Sequence, residues 1–262
     1  DTGRGRSVWL DNVETPRGRW EWTGYGQTDR GLVRSSNQDA FLVDNRRRLW
    51  AVADGMGGHP GGDVASRIVM DTLADFSPSL IRSAVPPGED QGEQQSFLLT
   101  TMAEQAHAAV RAYADHHPPF YGMGTTLVMA HLLPEPTPRL LVLNVGDSRA
   151  YLVRAGRIIQ LTRDHTLIDD YVRDGRLTPE QAARHPDRHV LTRAIGLGLV
   201  LDSDLFTFEV LTGDLLVLCS DGLTKMLTDE RILEIAHSHK DHPPLATGAL
   251  IQAALNASGI DN

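Results

Sequence analysis

Three aspartates of this sequence each follow a short, almost continuously apolar segment. They are Asp54 after Leu49–Ala53, Asp147 after Leu140–Gly146 and Asp221 after Leu215–Ser220. Apolar runs of this length predict strands that are buried on both faces. Each aspartate would then lie where an interior strand leaves the core.

A tight turn is the simpler interpretation of any one of these aspartates, because Asp-Gly pairs favour turns. Turn formation does not, however, require three interior strands to end on the same anionic residue. If the strand ends are neighbours, their carboxylates need a counter-charge, since like charges at close range would otherwise take up protons. Oxygen ligands favour magnesium or manganese, because softer metals prefer histidine or cysteine.

Two further features could serve such a site. Residues 55–62 contain five glycines, so the backbone there can approach a ligand closely. Gly55 could offer its carbonyl oxygen to a metal, although the same segment could be a flexible connector. Arg34 precedes a predicted strand, where a guanidinium can bind a phosphate through two N–H groups. Taken alone, Arg34 is an ordinary surface charge.

Nine strand-like segments are predicted, most of them β-branched or aromatic and bounded by Gly, Asp or Asn. They are Trp20–Gln27, Ala40–Asp44, Leu49–Ala53, Thr125–Leu133, Leu140–Val145, Ala150–Arg154, Arg157–Leu161, Leu205–Leu211 and Asp214–Cys219. Helices are predicted for Val64–Phe76 with Asp63 as N-cap, Ser96–His116, Asp229–His237 and Pro244–Ala257. Helices between runs of strands, without regular alternation, favour antiparallel sheets covered by helices over a doubly wound parallel fold.

The domain organisation follows from changes in composition along the chain. Residues 1–21 are polar, rich in Arg and Gly and without periodicity, which predicts an irregular N-terminal arm. Residues 22–262 are predicted to form one folded domain. Within it, residues 166–193 carry many charges and few core residues. We interpret them as a surface subdomain, the kind of element that carries substrate selectivity.

Bulk composition excludes several classes of function. The formal net charge of −9 argues against a nucleic-acid partner, which usually requires a basic face. No segment is long and apolar enough to cross a bilayer, and no signal-peptide pattern is present. The single cysteine, Cys219, excludes an internal disulfide and fits a reducing compartment. We therefore expect a cytoplasmic protein, and a monomer by default.

Eight segments, in order, resemble the motifs of the metal-dependent protein phosphatase family, the type 2C serine/threonine phosphatases, in its bacterial form. They are Gly31–Ala40, Ala53–His59, Gly122–Thr126, Val145–Ala150, Leu161–Thr166, Leu191–Gly196, Cys219–Leu223 and Asp261–Asn262. Each motif is weak alone, but eight in the family's order are specific. The resemblance runs from about Tyr25 to the end of the chain.

That resemblance implies an α+β fold, a four-layer α/β/β/α sandwich whose two central antiparallel β-sheets are flanked by helices. It also implies two central Mn²⁺ or Mg²⁺ ions and a possible third. By position, Asp54 resembles the carboxylate that bridges the central pair, and Gly55 supplies a carbonyl to one of them. Asp221 and Asp261 match the remaining ligands of the other ion, and Asp147 matches a ligand of the third, shared with Asp221.

The resemblance assigns three further residues. Arg34 matches the phosphate-binding arginine, and Asp39 is expected to orient metal-bound water. His59 matches a proton donor of the bacterial pattern, although a loop histidine there could contact substrate without acid chemistry. The acidic residue that some relatives carry before Asp39 is Gln38 here, which adds no charge.

The implied activity is direct in-line hydrolysis of phosphoserine and phosphothreonine esters in proteins, by metal-activated water. Phosphorylated substrates of a serine/threonine kinase would then be the partners. Two alternatives remain at this level. The chain could act on a dedicated regulator or a small phosphorylated metabolite, since the same site serves each, or it could be a catalytically silent homologue that binds phosphoproteins. The four acidic positions, all present, argue against the silent homologue.

Overall fold

The computed structural model describes residues 8–14, 20–56, 61–82, 91–133 and 138–262. Its ten strands are β1 Val8–Glu14, β2 Trp20–Gly26, β3 Asp39–Asp44, β4 Leu49–Asp54, β5 Leu127–Leu133, β6 Arg139–Val145, β7 Arg149–Arg154, β8 Arg157–Gln160, β9 Asp204–Glu209 and β10 Leu215–Cys219. Its helices are α1 Gly62–Phe76, α2 Ser79–Arg82, α3 Gln91–His116, α4 Leu167–Arg173, α5 Pro179–Ala182, α6 Asp221–Thr224, α7 Asp229–Ser238 and α8 Pro243–Asn256. All nine predicted strands and the four predicted helices are confirmed, with boundaries shifted by a few residues.

The strands form two five-stranded sheets, in the orders β2-β1-β10-β7-β8 and β3-β4-β5-β6-β9. The pairs in both sheets are antiparallel. Strands β4, β6 and β10 are interior, as their apolar runs predicted. Each of the three strands that lead to an aspartate therefore has a neighbouring strand on both sides.

Side-chain alternation along β4 and β10 explains the layers. In β4, Ala51 packs toward α1 and α3, whereas Trp50 packs into the space between the sheets. In β10, Leu216 packs between the sheets and Val217 packs toward α7 and α8. Because successive side chains of a strand point to opposite faces, each sheet buries one face on its partner and the other on helices. The predicted four-layer sandwich is confirmed.

The prediction that residues 1–21 form an irregular arm is wrong for Val8–Glu14. This segment is β1, which pairs with β10 from Val8↔Leu218 to Leu10↔Leu216 and with β2 along its whole length. Its sequence carries little strand signal, so the neighbouring strands provide the pairing that keeps it extended. Asp63 is also not the N-cap of α1. The helix begins at Gly62, and Gly61 is its N-cap.

Residues 166–193 lie between β8 and β9 and contain the short helices α4 and α5. A bridge between Thr166 and Leu191 joins the two ends of the segment. The side chains of Thr166 and Thr178 cap the two helices. Most of the segment is exposed, and Ile168 on α4 is its main buried apolar side chain. Among the described residues, no helix is both long and apolar enough to span a membrane.

Candidate metal and phosphate site

Asp39 and Asp54 lie side by side on neighbouring strands. Asp39 begins β3 and Asp54 ends β4, and the antiparallel register places them directly opposite each other. Like charges in such a pair repel and destabilise a sheet. Thr125 and Thr126 hold the Asp54 backbone, since the Thr125 hydroxyl and the Thr126 N–H both donate to its carbonyl and its own N–H donates to Thr126 Oγ1.

Asp147 lies in the turn that carries the chain from β6 to β7, and so from one sheet to the other. Gly146 precedes it with a φ of 104°, a conformation that side chains disfavour. His165 holds this turn, because its Nδ1 accepts from the Gly146 N–H at 3.1 Å. Next to Asp147, the Ser148 hydroxyl lies 2.6 Å from that of Thr126. One hydroxyl pair thus links the Asp54 and Asp147 segments.

Asp221 is the first residue of α6, directly after β10. The Ser220 hydroxyl donates to Asp39 Oδ2 at 2.8 Å, which joins this strand end to β3 in the opposite sheet. The Nζ of Lys225 lies 2.5 Å from Asp221 Oδ2. The ends of β4, β6 and β10 are therefore neighbours, as the placement of the three aspartates predicted.

Asp261 reaches the same region from the last described residues of the chain. Arg34 Nη2 lies 2.7 Å from its Oδ1, and Lys225 Nζ lies 3.1 Å from its Oδ2. Asn262 anchors this segment, because its Oδ1 accepts from the Gln38 N–H and its Nδ2 donates to two carbonyls of the loop that carries Arg34. Arg34 and Asp261 are thereby held against each other.

These residues line one cavity of about 390 Å³. Its walls include an arginine, a lysine, four aspartates and the Asp54-Gly55 backbone turn, namely Arg34, Lys225, Asp54, Asp147, Asp221, Asp261 and Gly55. Asp39 lies behind this wall, next to Asp54. The structure thus brings together every predicted site residue that lies within its described parts. His59 lies outside the described residues, and its role stays a prediction.

The carboxylates disfavour one another's charge. Desolvation raises the pKa of Asp39 to about 7, the Ser220 hydrogen bond opposes this, and the charge of Asp221 adds to it. Burial raises the pKa of Asp147 to about 7, with further contributions from Asp221 and Asp164. Burial and the charge of Asp39 raise the pKa of Asp54 well above its ordinary value. Raised pKa values of this kind indicate that binding positive charge would stabilise the site.

Asp261 differs from the other carboxylates because cations face it directly. Burial raises its pKa, but the hydrogen bond from Arg34 and the charge of Lys225 outweigh this effect and lower the pKa overall. Arg34 and Lys225 therefore neutralise the side of the cavity on which Asp261 lies. Among the described residues, no cation forms an ion pair with Asp39 or Asp54.

Two observations fit a divalent metal. The Oδ1 atoms of Asp39 and Asp221 are buried without a hydrogen-bond partner among the described residues, and an unpaired buried carboxylate oxygen is costly. At Gly55, a Cβ would lie 2.2 Å from the Gly62 carbonyl oxygen. A side chain is thus excluded where the backbone carbonyl is the predicted ligand.

The described side chains are not yet arranged around a metal ion. Across the parts of the chain that the structure describes, no three His, Cys, Asp or Glu side chains already adopt an arrangement that could hold a metal ion. Asp221 and Asp261 point their Oδ2 atoms at Lys225 instead. Metal ligation would therefore require these two side chains to exchange one cation for another.

Comparison with known proteins agrees with this geometry. Residues 24–249 match the family described as Protein phosphatase 2C. The chain belongs to the protein phosphatase 2C family. It is 38% identical over 238 residues to the serine/threonine protein phosphatase PstP of Mycobacterium tuberculosis, covering 90% of this chain but 42% of that protein. The chain thus spans less than half of that relative's length.

Two other matches cover most of both chains. The serine/threonine phosphatase stp of Listeria innocua is 36% identical over 217 residues, which is 82% of each chain. A crystal structure of the catalytic domain of PstP in complex with two manganese ions superposes with a TM-score of 0.74 at 34% identity. That match covers 97% of this chain and 95% of the other.

Sequence reasoning missed two titratable residues that line the cavity, Lys225 and His189. Lys225 is four residues after Asp221, and a helical turn at α6 would have predicted their contact. His189 lines the cavity from the exposed segment 166–193, and no periodic pattern marks it. Partial burial and the charges of Lys225 and Arg188 lower the pKa of His189.

The carboxylate pKa values predict how stability depends on pH without metal. Asp39 and Asp147 have folded pKa values of about 7 against an ordinary 3.8, so the folded chain binds more protons between these values. The contribution of these two carboxylates to stability is therefore greatest at the acidic end and is lost as pH rises through about 7. Buried histidines such as His131, whose pKa is lowered to about 4, contribute a slope of the opposite sign. Between pH 5 and 7.5 in EDTA, the free energy of unfolding of the wild type should therefore fall by ~2 kcal/mol relative to that of Asp39→Asn, in which the histidines titrate alike.

Urea denaturation of the EDTA-treated protein at several pH values measures this slope. Asp39→Asn should make the slope more positive, because an amide does not titrate, whereas exposed Asp241→Asn should leave it unchanged. If the free energies of unfolding of the wild type and Asp39→Asn change in parallel from pH 5 to 7.5, the raised pKa of Asp39 is contradicted.

Proposed function

We propose that this chain is a metal-dependent serine/threonine protein phosphatase. It hydrolyses phosphoserine and phosphothreonine esters of proteins directly, without a covalent intermediate. The observation that carries the proposal is the cavity in which Asp54, Asp147, Asp221 and Asp261 meet Arg34. A phosphate ester fits such a cavity, because the carboxylates can hold metal cations and the guanidinium can bind the phosphoryl oxygens.

Asp54, Asp221, Asp261 and the Gly55 carbonyl would hold two Mn²⁺ or Mg²⁺ ions, and Asp147 with Asp221 a third. When bound, these ions supply an activated water and positive charge for in-line attack at phosphorus. Arg34 binds two phosphoryl oxygens through its planar N–H groups and keeps the ester in position. Asp39 accepts a hydrogen bond from water at the site and orients it, while Ser220 fixes the carboxylate.

The leaving alkoxide needs a proton, and His59 is the proposed donor. Cys219 is not a competing nucleophile. It is buried in β10, and burial raises the pKa of its thiol to about 12. Because the thiolate is the reactive form, this cysteine is inert at neutral pH, in accord with direct hydrolysis.

Selectivity would come from a groove of about 580 Å³ that opens beside the cavity. Segment 166–193 forms one wall, with Ile168, Val172 and Pro179, and Met226 lies on the other. Charged side chains such as Asp169 and Arg188 also line this groove, and a mixed apolar and charged lining suits residues that flank a phosphorylated position in a polypeptide. A small phosphorylated metabolite would leave this groove unfilled, which disfavours that alternative.

Family membership favours phosphoproteins made by a serine/threonine kinase as substrates, with the chain acting as a cytoplasmic monomer. A silent phosphoprotein-binding homologue is disfavoured, because the clustered carboxylates make one another's ionisation unfavourable. Two of their buried oxygens, on Asp39 and Asp221, also have no hydrogen-bond partner within the described parts of the chain.

Metal-dependent turnover tests the proposal. The purified protein should hydrolyse p-nitrophenyl phosphate and a phosphothreonine peptide with Mn²⁺, lose all turnover in EDTA and recover it when Mn²⁺ is restored. A peptide-to-p-nitrophenyl phosphate ratio of kcat/KM well above one would favour protein substrates. Phosphopeptide binding without any metal-dependent turnover would instead identify the silent homologue.

A further inference from the structure

Lys225 is a cation built into the wall of the cavity. Its backbone N–H donates to the Asp221 carbonyl at 2.8 Å, so the turn of α6 places its side chain over that of Asp221. Its Nζ then lies 2.5 Å from Asp221 Oδ2 and 3.1 Å from Asp261 Oδ2. One ammonium thus joins two carboxylates that are forty positions apart in the sequence.

These two carboxylates are proposed metal ligands, and the family resemblance assigns both to the same divalent ion. The Oδ2 atoms that Lys225 engages are therefore among the oxygens that such an ion would need. Oδ1 of Asp261 already accepts hydrogen bonds from Arg34 and from the Asn262 N–H. Its Oδ2 is therefore the oxygen that a metal ion would have to share with Lys225. An ammonium and a divalent ion cannot both take the shortest contacts to the same oxygens, since like charges repel at that range.

The Lys225 side chain can occupy a second position, in the groove next to the main cavity. It lines both the main cavity and the adjacent groove under segment 166–193. It is also partly exposed, at 26% of its side-chain surface. A flexible four-carbon stem can therefore carry the ammonium from the carboxylates into that groove without unfolding α6.

We propose that Lys225 is a tethered counter-cation that competes with one divalent metal ion for Asp221 and Asp261. It holds the two carboxylates together until the metal arrives, and it then withdraws toward the groove. The inference rests on the proposed metal site and adds to it a residue that sets how tightly that site binds. The consequence is weaker metal binding than the carboxylates alone would provide.

Mn²⁺ binding measured by isothermal titration calorimetry tests the proposal. Lys225→Met keeps the length of the side chain and removes its charge, so the weaker Mn²⁺ site should bind about tenfold more tightly, ~1.4 kcal/mol. Lys240→Met, at the exposed other lysine of this chain, should bind as the wild type does. Unchanged or weaker Mn²⁺ binding by Lys225→Met would overturn the proposal.

A second readout uses the wild-type protein and needs no substitution. The chain has only these two lysines, so acetylation by an amine reagent can be followed at each by mass spectrometry. Mn²⁺ should accelerate labelling of Lys225 several-fold over the rate in EDTA and leave Lys240 unchanged. Labelling of Lys225 that stays constant or slows with Mn²⁺ would mean that the ammonium is not displaced.

Asp221→Asn separates this inference from the proposed function. If the wild type binds Mn²⁺ and Asp221→Asn binds it much more weakly, the metal site stands, and the Lys225 results alone decide the competition. If the wild type binds no Mn²⁺, or Asp221→Asn binds it equally well, the proposed metal site fails and the competition fails with it.

Discussion

Replacing Asp54 by asparagine is expected to lower Mn²⁺-dependent hydrolysis of a phosphothreonine peptide by on the order of a thousandfold or more, ~4 kcal/mol of barrier. Asp54 faces Asp39 across the strand pair, and the charges of Asp221, Asp147 and Asp261 all bear on it. It is therefore the central anion of the cavity. An amide keeps its shape but cannot supply the charge that holds a divalent ion.

The same substitution should stabilise the protein in EDTA. Burial and neighbouring charges raise the pKa of Asp54, so its ionised form is unfavourable in the folded chain at neutral pH. Removing that charge should raise the melting temperature in EDTA while removing the stabilisation that Mn²⁺ gives the wild type. Opposite changes in activity and metal-free stability would distinguish loss of a metal ligand from misfolding.

Steady-state kinetics with Mn²⁺ and differential scanning calorimetry in EDTA measure the two effects. Asp221→Asn should also abolish activity, whereas the exposed Asp241→Asn controls for loss of a surface charge and should behave as wild type. If Asp54→Asn and Asp221→Asn both retain activity, the carboxylates are not metal ligands and the proposed mechanism is wrong.

Replacing Arg34 by lysine is expected to lower kcat/KM by about a hundredfold, ~2.7 kcal/mol, although the positive charge is kept. The guanidinium already gives one N–H to Asp261, and its planar fork leaves others to bind two phosphoryl oxygens at once. A lysine ammonium cannot satisfy the carboxylate and two phosphoryl oxygens in that geometry.

Inhibition by inorganic phosphate separates anion binding from metal binding at this position. Arg34→Lys should raise the inhibition constant of phosphate by a factor similar to the loss in kcat/KM, and change Mn²⁺ affinity only a few-fold. Arg30→Lys, in the same loop but outside the cavity wall, is the matched control. Equal phosphate inhibition of Arg34→Lys and the wild type would show that Arg34 does not bind the phosphoryl group.

Much of the fold could be predicted because it depends on local patterns. The apolar runs of β4, β6 and β10 identified interior strands, since a strand buried on both faces is apolar at nearly every position. Helices α1 and α3 were evident from apolar side chains at helical spacing. Strand β1 was not, because its segment Val8–Glu14 mixes polar and apolar residues, and its extended form depends on pairing with β10 some two hundred residues later.

Much of the site could be predicted for a different reason. Asp54, Asp147 and Asp221 each mark the exit of an interior strand, and family motifs identified Arg34, Asp39 and Asp261. The hydroxyl contacts of Ser220 and Thr126 with the aspartate segments could not be predicted. Hydroxyl residues are common in turns, and their role depends on a partner that is distant in the sequence. Asn262, which anchors the Arg34 loop through Gln38, is another such case.

The amino-acid sequence by itself determined which strands are interior and that an aspartate ends three of them, since both follow from the order of apolar and charged residues along a few positions. Only the tertiary structure decided that Asp39 stands opposite Asp54, that Ser220 ties one sheet to the other, and that Lys225 lies between Asp221 and Asp261. These relations join residues distant in the chain, and their geometry depends on how the two sheets pack, which no local pattern specifies.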